Sequence, residues 1–274
     1  MRTRTYPSDL TDEQWELVAP HIPIHPGGRP RTTPMRDVLD AIFYVLRTGC
    51  QWRYLPKDFP PRSTVWGYFD EWKETGTWEF IHDLLREQVR RQEGKKRTPS
   101  AGCVDSQSVP STEGGPERGS DTHKKVRGRK RHIAVDTLGL LLAVVVTAAS
   151  ADDGRAAPAL LGELRRVEFP RLRKVWADAK YHNHALYEWL DGNAHFELEV
   201  VSRPDGVTGF VPLPKRWVVE RTFAWLKRCR RLSLDREKDP RSGEAMVRVA
   251  MIHLMLNRLK PAGPKPAFNY RKAA

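Results

Sequence analysis

The stretch Ala101-Gly102-Cys103-Val104-Asp105-Ser106-Gln107-Ser108-Val109 marks a change of period in the chain. Upstream of Pro99 the apolar residues recur at helical spacing. From Ala101 they form a short run with one acid set into it, which reads as a strand. Downstream, the polar, glycine-rich segment 110–121 reads as a mobile loop. The densest basic run, His123-Lys124-Lys125-Val126-Arg127-Gly128-Arg129-Lys130-Arg131, then feeds a second strand, His132-Ile133-Ala134-Val135-Asp136. Thr137-Leu138-Gly139 suits a hairpin turn into the nearly continuous apolar strand 140–148. A helix is predicted over 156–167, with Leu160, Leu161 and Leu164 inward. A strand follows over 172–177, ending at Asp178, then a helix over 184–190, a strand over 196–201 and a helix over 215–231. The order strand, strand, strand, helix, strand, helix, strand, helix is an RNase H-like α/β pattern, a mixed five-stranded sheet with helices.

The hundred residues before this stretch read as all-α. Ser8-Asp9-Leu10-Thr11-Asp12-Glu13 supplies cap residues and early acids. A helix from about Pro34 presents Val38, Leu39, Ile42, Phe43 and Leu46 on one face and ends near Gly49. After Pro60-Pro61-Arg62-Ser63-Thr64, where Ser63 or Thr64 suits an N-cap, a helix carries Val65, Tyr68, Phe69 and Trp72 to Gly76. Another begins at Thr77. Helix, turn and capped helix is compatible with a helix-turn-helix and equally with a helical bundle that touches no DNA. The expected layout is a helical domain over 1–90 that binds DNA ends, a basic linker over 91–99, a catalytic domain over 100–260 and a basic tail over 261–274. Gly28-Arg29-Pro30-Arg31 is a small basic element resembling minor-groove arms, or a plain linker.

Charge narrows the partners. Lys plus Arg exceed Asp plus Glu by 47 − 34 = 13, and the isoelectric point is near 9.9. That surplus favours a polyanion, nucleic acid first and an anionic membrane second. The longest apolar run, 138–149, is interrupted by Gly139 and too short to span a bilayer. No charged-then-apolar leader opens the chain, so a cytoplasmic protein is expected. Three scattered cysteines suit neither a disulfide framework nor a zinc site. No P-loop occurs, so no nucleotide cofactor is expected.

The last predicted helix carries the chemistry. At roughly 100° per residue, Val218, Thr222, Trp225, Leu226 and Cys229 gather on one side, and Arg216, Glu220, Lys227 and Arg231 on the other. A carboxylate within a basic row can be a solvated face with i,i+4 ion pairs. Asp105 and Asp178 have equally plain readings, as turn and helix caps. In the RNase H-like layout, however, the strands of Asp105 and Asp178 are neighbours and Glu220 turns towards both. Three carboxylates in a basic cleft suit two Mg²⁺ or Mn²⁺ ions about 4 Å apart, which serve in-line displacement at phosphorus. Arg216 and Lys227 flank Glu220 as phosphate grips. Arg231, Arg129, Lys130, Arg131 and Lys180 are further candidate DNA contacts.

These residues resemble those of DDE transposases, specifically the bacterial insertion sequence 5 family within the IS4-like group, over nearly the whole chain. Val104-Asp105-Ser106 is similar to the context of the family's first acid, and Trp176-Ala177-Asp178 to that of its second. The signature Tyr-x2-Arg-x3-Glu-x6-Lys matches at Arg216, Glu220 and Lys227; its Tyr position is Leu213. Where the family has Gly-Gly-Tyr, this chain has Ala179-Lys180-Tyr181, and Lys180 is the added cation. The 220 − 178 = 42 positions between the last two acids leave no room for the β-rich insertion of some relatives.

The resemblance implies a metal-dependent transposase that binds terminal inverted repeats and target DNA as double strands. It implies cleavage and strand transfer, and a homodimer or higher assembly on DNA. Two alternatives share the residues: an RNase H-like nuclease without joining, and a silent transposase-derived regulator that only binds DNA.

Overall fold

The computed structural model of the chain describes residues 4–24, 32–112, 114–201 and 215–263. The Gly28-Arg29-Pro30-Arg31 element, Leu213 and most of the 261–274 tail lie outside the described residues.

The N-terminal region is all helical. Helix α1 (Asp12–Val18) opens with a reciprocal cap, Gln14 N donating to Thr11 Oγ1 and Thr11 N to Gln14 Oε1, both at 3.1 Å. Helix α2 (Met35–Thr48) buries the expected face and ends at Gly49, whose φ of 70° suits a residue without Cβ. Helix α3 (Arg62–Glu74) starts from Pro61 without a side-chain cap, which corrects the expectation for Ser63 or Thr64. Both fall inside the first turn, and Thr64 N already donates to Pro61 O. Residues 49–61 join α2 to α3, a longer connection than the turn of about three or four residues in a helix-turn-helix. The tight turn lies one helix later, at Thr75-Gly76 before α4 (Thr77–Gln92).

Among the described residues six strands form one sheet. They are β1 (Ala101–Pro110), β2 (Gly119–Asp121), β3 (Val126–Asp136), β4 (Leu141–Ala148), β5 (Lys174–Ala177) and β6 (Glu197–Val200). β3 pairs antiparallel with β1 on one edge and with both β2 and β4 on the other; β1, β5 and β6 run parallel. The short polar β2 is a strand where the sequence predicts only loop, so five expected strands become six. The basic run also lies within β3 itself and does not merely precede it.

Helices α5 (Asp153–Gly162) and α6 (His184–Asn193) cover one face over Val104, Leu160, Leu161, Leu186 and Leu198. The other face is covered by α7 (Trp217–Lys227), α8 (Arg230–Ser233), α9 (Pro240–Leu259) and the N-terminal helices, which share one core. α9 is the hub of that core, with Met246, Met251, Ile252 and Met255 fully buried. Burial of such side chains contributes about 1.5–3 kcal/mol each. Among the described residues no helix is long and apolar enough to cross a membrane.

Candidate active site

Parallel pairing sets the first two acids side by side. Gly102 and Cys103 of β1 face Val175 and Trp176 of β5, so Asp105 and Asp178 emerge just beyond the paired segment. Strand alternation puts Asp105 on the face of Cys103, which α7 covers. Ser106 N donates to Asp105 Oδ1 at 2.7 Å. Asp178 caps the short turn Ala179–Tyr181 by accepting from Lys180 N at 2.9 Å. Its capping role and its place beside Asp105 therefore coexist.

The turn between β3 and β4 positions α7. Thr222 Oγ1 donates to Gly139 O at 2.8 Å and Arg221 to Leu138 O at 3.0 Å. Gly139 has φ 79°, and a Cβ there would meet Thr222 Oγ1 and Trp225 at 2.8 Å. Docked in this way, the helix begins at Arg216, whose Nη2 lies 3.6 Å from Asp105 Oδ2 and 3.5 Å from Asp178 Oδ2. One guanidinium thus joins the two strand acids. Its Nε is buried with no hydrogen-bond partner among the described residues.

Glu220 stands one turn further on and is exposed. Lys227 is exposed two turns beyond it. The buried Cys103 thiol registers the whole group: it is pushed up to about 12, by burial first, then by Asp105, against Arg216, with Glu220 and Asp178 adding to the rise. Asp105 itself is raised to about 6, chiefly by burial, with Arg216 lowering it and Asp178 raising it.

Asp105 and Asp178 suit a divalent cation, being hard oxygen donors that already converge on one positive group. Among the described residues no set of three His, Cys, Asp or Glu side chains gathers at metal-binding spacing. Glu220 therefore shares the electrostatic neighbourhood of the other two without closing a three-carboxylate cage.

The predicted basic contacts separate sharply. Arg216 and Lys180 lie at or beside the acids, Lys180 being 54 % exposed, and Lys227 is exposed two turns beyond Glu220. Arg129 is buried, donating to the carbonyls of Pro116, Glu237 and Lys238 and pairing with Asp235. Arg131 is buried on the carbonyls of Leu232 and Leu234. Lys130 is buried against Ala151 O and Asp153. These three brace the sheet and do not stand free at the surface.

Arg231 also departs from expectation. The chain turns extended at Cys229, so 215–231 is not one helix, and Arg231 sits in α8, bound to Glu237 Oε1 at 2.6 Å and Cys50 O at 3.0 Å. On α7, Val219 and Phe223 join the buried side while Trp225 is only half-buried.

Tyr181 is a neighbour that side-chain spacing did not reveal. Its buried hydroxyl has no hydrogen-bond partner among the described residues, and burial with the charges of Asp105, Asp153 and Asp178 raises its pKa well above the usual phenol value.

Residues 96–255 match a family model described as a transposase DDE domain, and residues 10–82 one described as a putative transposase of the IS4/5 family. The chain is similar to the Putative transposase for insertion sequence element IS402 of Burkholderia cepacia, with 30% identity over 157 residues, covering 54% of this chain and 73% of that protein. It is also similar to the Insertion element IS402 uncharacterized 16.2 kDa protein of the same organism, 32% identical over 109 residues, 36% of this chain and 71% of the relative.

Proposed function

The chain belongs to the DDE transposases of the IS4/5 group, and from that premise we propose how it acts on DNA. Residues 1–90 take the terminal inverted repeats of an insertion sequence, 91–99 link, and 100–260 carry the chemistry. Asp105, Asp178 and Glu220 are the catalytic carboxylates. The observation that carries this reading is the single guanidinium of Arg216 lying within 3.6 Å of both Asp105 and Asp178.

Asp105, Asp178 and Glu220 would hold divalent metal, two Mg²⁺ or Mn²⁺ ions in this reading, which would supply Lewis-acid activation of the attacking and departing oxygens. The chain's own groups set the geometry. Asp105 offers acceptor oxygens from within β1 and Asp178 from just after β5. Glu220 supplies the third carboxylate from α7. Arg216, with Nε unbonded, holds non-bridging phosphate oxygens beside the acids. Lys180 and Lys227 extend the positive surface on either side of them.

The first reaction adds water across a phosphodiester at the element's end and frees a 3′-hydroxyl. In the second, that hydroxyl attacks a target phosphodiester, and the broken strand leaves with its own 3′-hydroxyl. Both are in-line displacements at phosphorus and share one site. Joining two ends requires both in one complex, so the working form is a homodimer or larger assembly.

The test uses labelled duplex from the DNA flanking the coding sequence, with Mg²⁺. Wild type is expected to nick and join it. Asp178→Asn is expected to bind the duplex without cutting. Nicking without joined product in wild type would replace the transposase with a nuclease.

A further inference from the structure

A second cationic feature lies away from the carboxylates, in a cavity of about 270 Å³ between the N-terminal helices and the far end of the sheet. Arg53 follows α2, Arg62 opens α3, Arg231 belongs to α8, and Arg236 and Thr112 complete the wall beside Trp52. Among the described residues four guanidinium groups line this space and no carboxylate does. Glu237 holds Arg231 in place from behind.

Among the described residues, Arg53, Arg62 and Arg236 have no acidic partner, and Arg236 Nε is buried without a hydrogen bond. Like charges gathered this closely repel. A buried donor left unpaired costs about 1–3 kcal/mol. One phosphate group answers both penalties, since its oxygens accept paired hydrogen bonds from several guanidiniums.

The cavity's location says where such a phosphate comes from. Ser111 bridges to Asp235, and Thr112 N donates to Asp235 O at 3.0 Å, so the segment bearing Arg236 continues the line of β1. Leu232, beside Arg231, belongs to the core on the α7 side of the sheet. The cavity therefore lies off the end of the strand that carries Asp105. Thr112 stands two residues past the end of β1, and the cavity joins the N-terminal helices to the sheet that carries Asp105. A DNA strand that reaches Asp105 is therefore the phosphate source this position favours.

We infer that this cavity binds a backbone phosphate of the double-stranded DNA that is held at Asp105. The cavity thereby ties the duplex to both parts of the chain. This rests on the transposase reading for the DNA at Asp105.

The test is binding of the full chain to the element-end duplex over a series of salt concentrations. Arg53 and Arg62 are exposed, so Arg53→Gln with Arg62→Gln leaves the core intact. Arg166→Gln with Arg173→Gln removes the same charge from exposed positions elsewhere. The first pair is expected to weaken binding about tenfold and to flatten the log–log salt slope by about one phosphate, near 0.9. The second pair is expected to leave the slope unchanged.

Identical slopes for the two pairs would overturn the assignment. So would thermal stabilisation of wild type by inorganic phosphate that the first pair abolishes while its DNA slope stays unchanged, since the cavity would then hold a free anion. Absence of nicking by wild type would sink the transposase reading, and the slopes would still decide the cavity.

Discussion

Arg90 of α4 and Asp136 at the end of β3 form an ion pair that is almost wholly buried. Asp136 also accepts from Leu138 N and Leu140 N at 2.8 and 2.9 Å, fixing the turn on which α7 docks. The pair thus links the N-terminal helices to the turn that places Arg216. Arg90→Ala leaves a buried carboxylate without its cation and is expected to destabilise the protein by about 3–5 kcal/mol in urea unfolding. Adding Asp136→Asn should recover part of that loss. A single-variant effect below about 1 kcal/mol would show the pair to be incidental.

Two glycines with left-handed backbone separate conformation from close approach. Gly76 has φ 72° and open space around it, whereas Gly139 has φ 79° and α7 against it. Both alanine substitutions strain the backbone by about 1 kcal/mol. Only Gly139→Ala should also displace α7, giving a larger drop in melting temperature and slower cleavage. Equal melting temperatures for the two variants would mean that α7 does not depend on this contact.

His132 gives the stability a defined pH response. Burial, with Lys130 and Lys124 nearby, depresses its pKa to about 4 against the opposing pull of Asp153. The unfolded chain, with an ordinary histidine near 6.5, binds the proton first. Stability contributed by the neutral ring is therefore present above about pH 6.5 and is lost as pH falls towards 4. The loss is about 3 kcal/mol at most. His132→Gln, which retains a partner for Thr147 Oγ1, should flatten unfolding free energy against pH across that window. An unchanged slope would assign the acid sensitivity to other groups.

Much of the fold was legible because it rests on periodicity. The strand of Asp105, the apolar strand before α5 and the face of α2 each announce their partners through spacing. The placing of Asp105 within a strand and of Asp178 just after one was readable from the apolar runs around them. The fates of Arg129, Arg131 and Arg231 were not. A basic run reads as solvent-facing, and only tertiary folding brings the carbonyls of 232–238 to bury it. The break at Cys229 has neither Pro nor Gly to announce it. β2 is three residues long and stands only because β3 pairs with it. Tyr181 looks like an ordinary core aromatic until the sheet sets it beside the acids.

Glu220, exposed on α7 one turn from the Arg216 bridge, is the carboxylate on which the proposed mechanism most depends. Single-turnover cleavage of labelled element-end duplex in Mg²⁺ should be compared for wild type and Glu220→Gln, which preserves shape and removes the charge. Cleavage by wild type and a loss of at least about a hundredfold in the variant, at equal DNA affinity, is the expected result. Equal cleavage by both proteins would remove Glu220 from the active site and return that face of α7 to solvent.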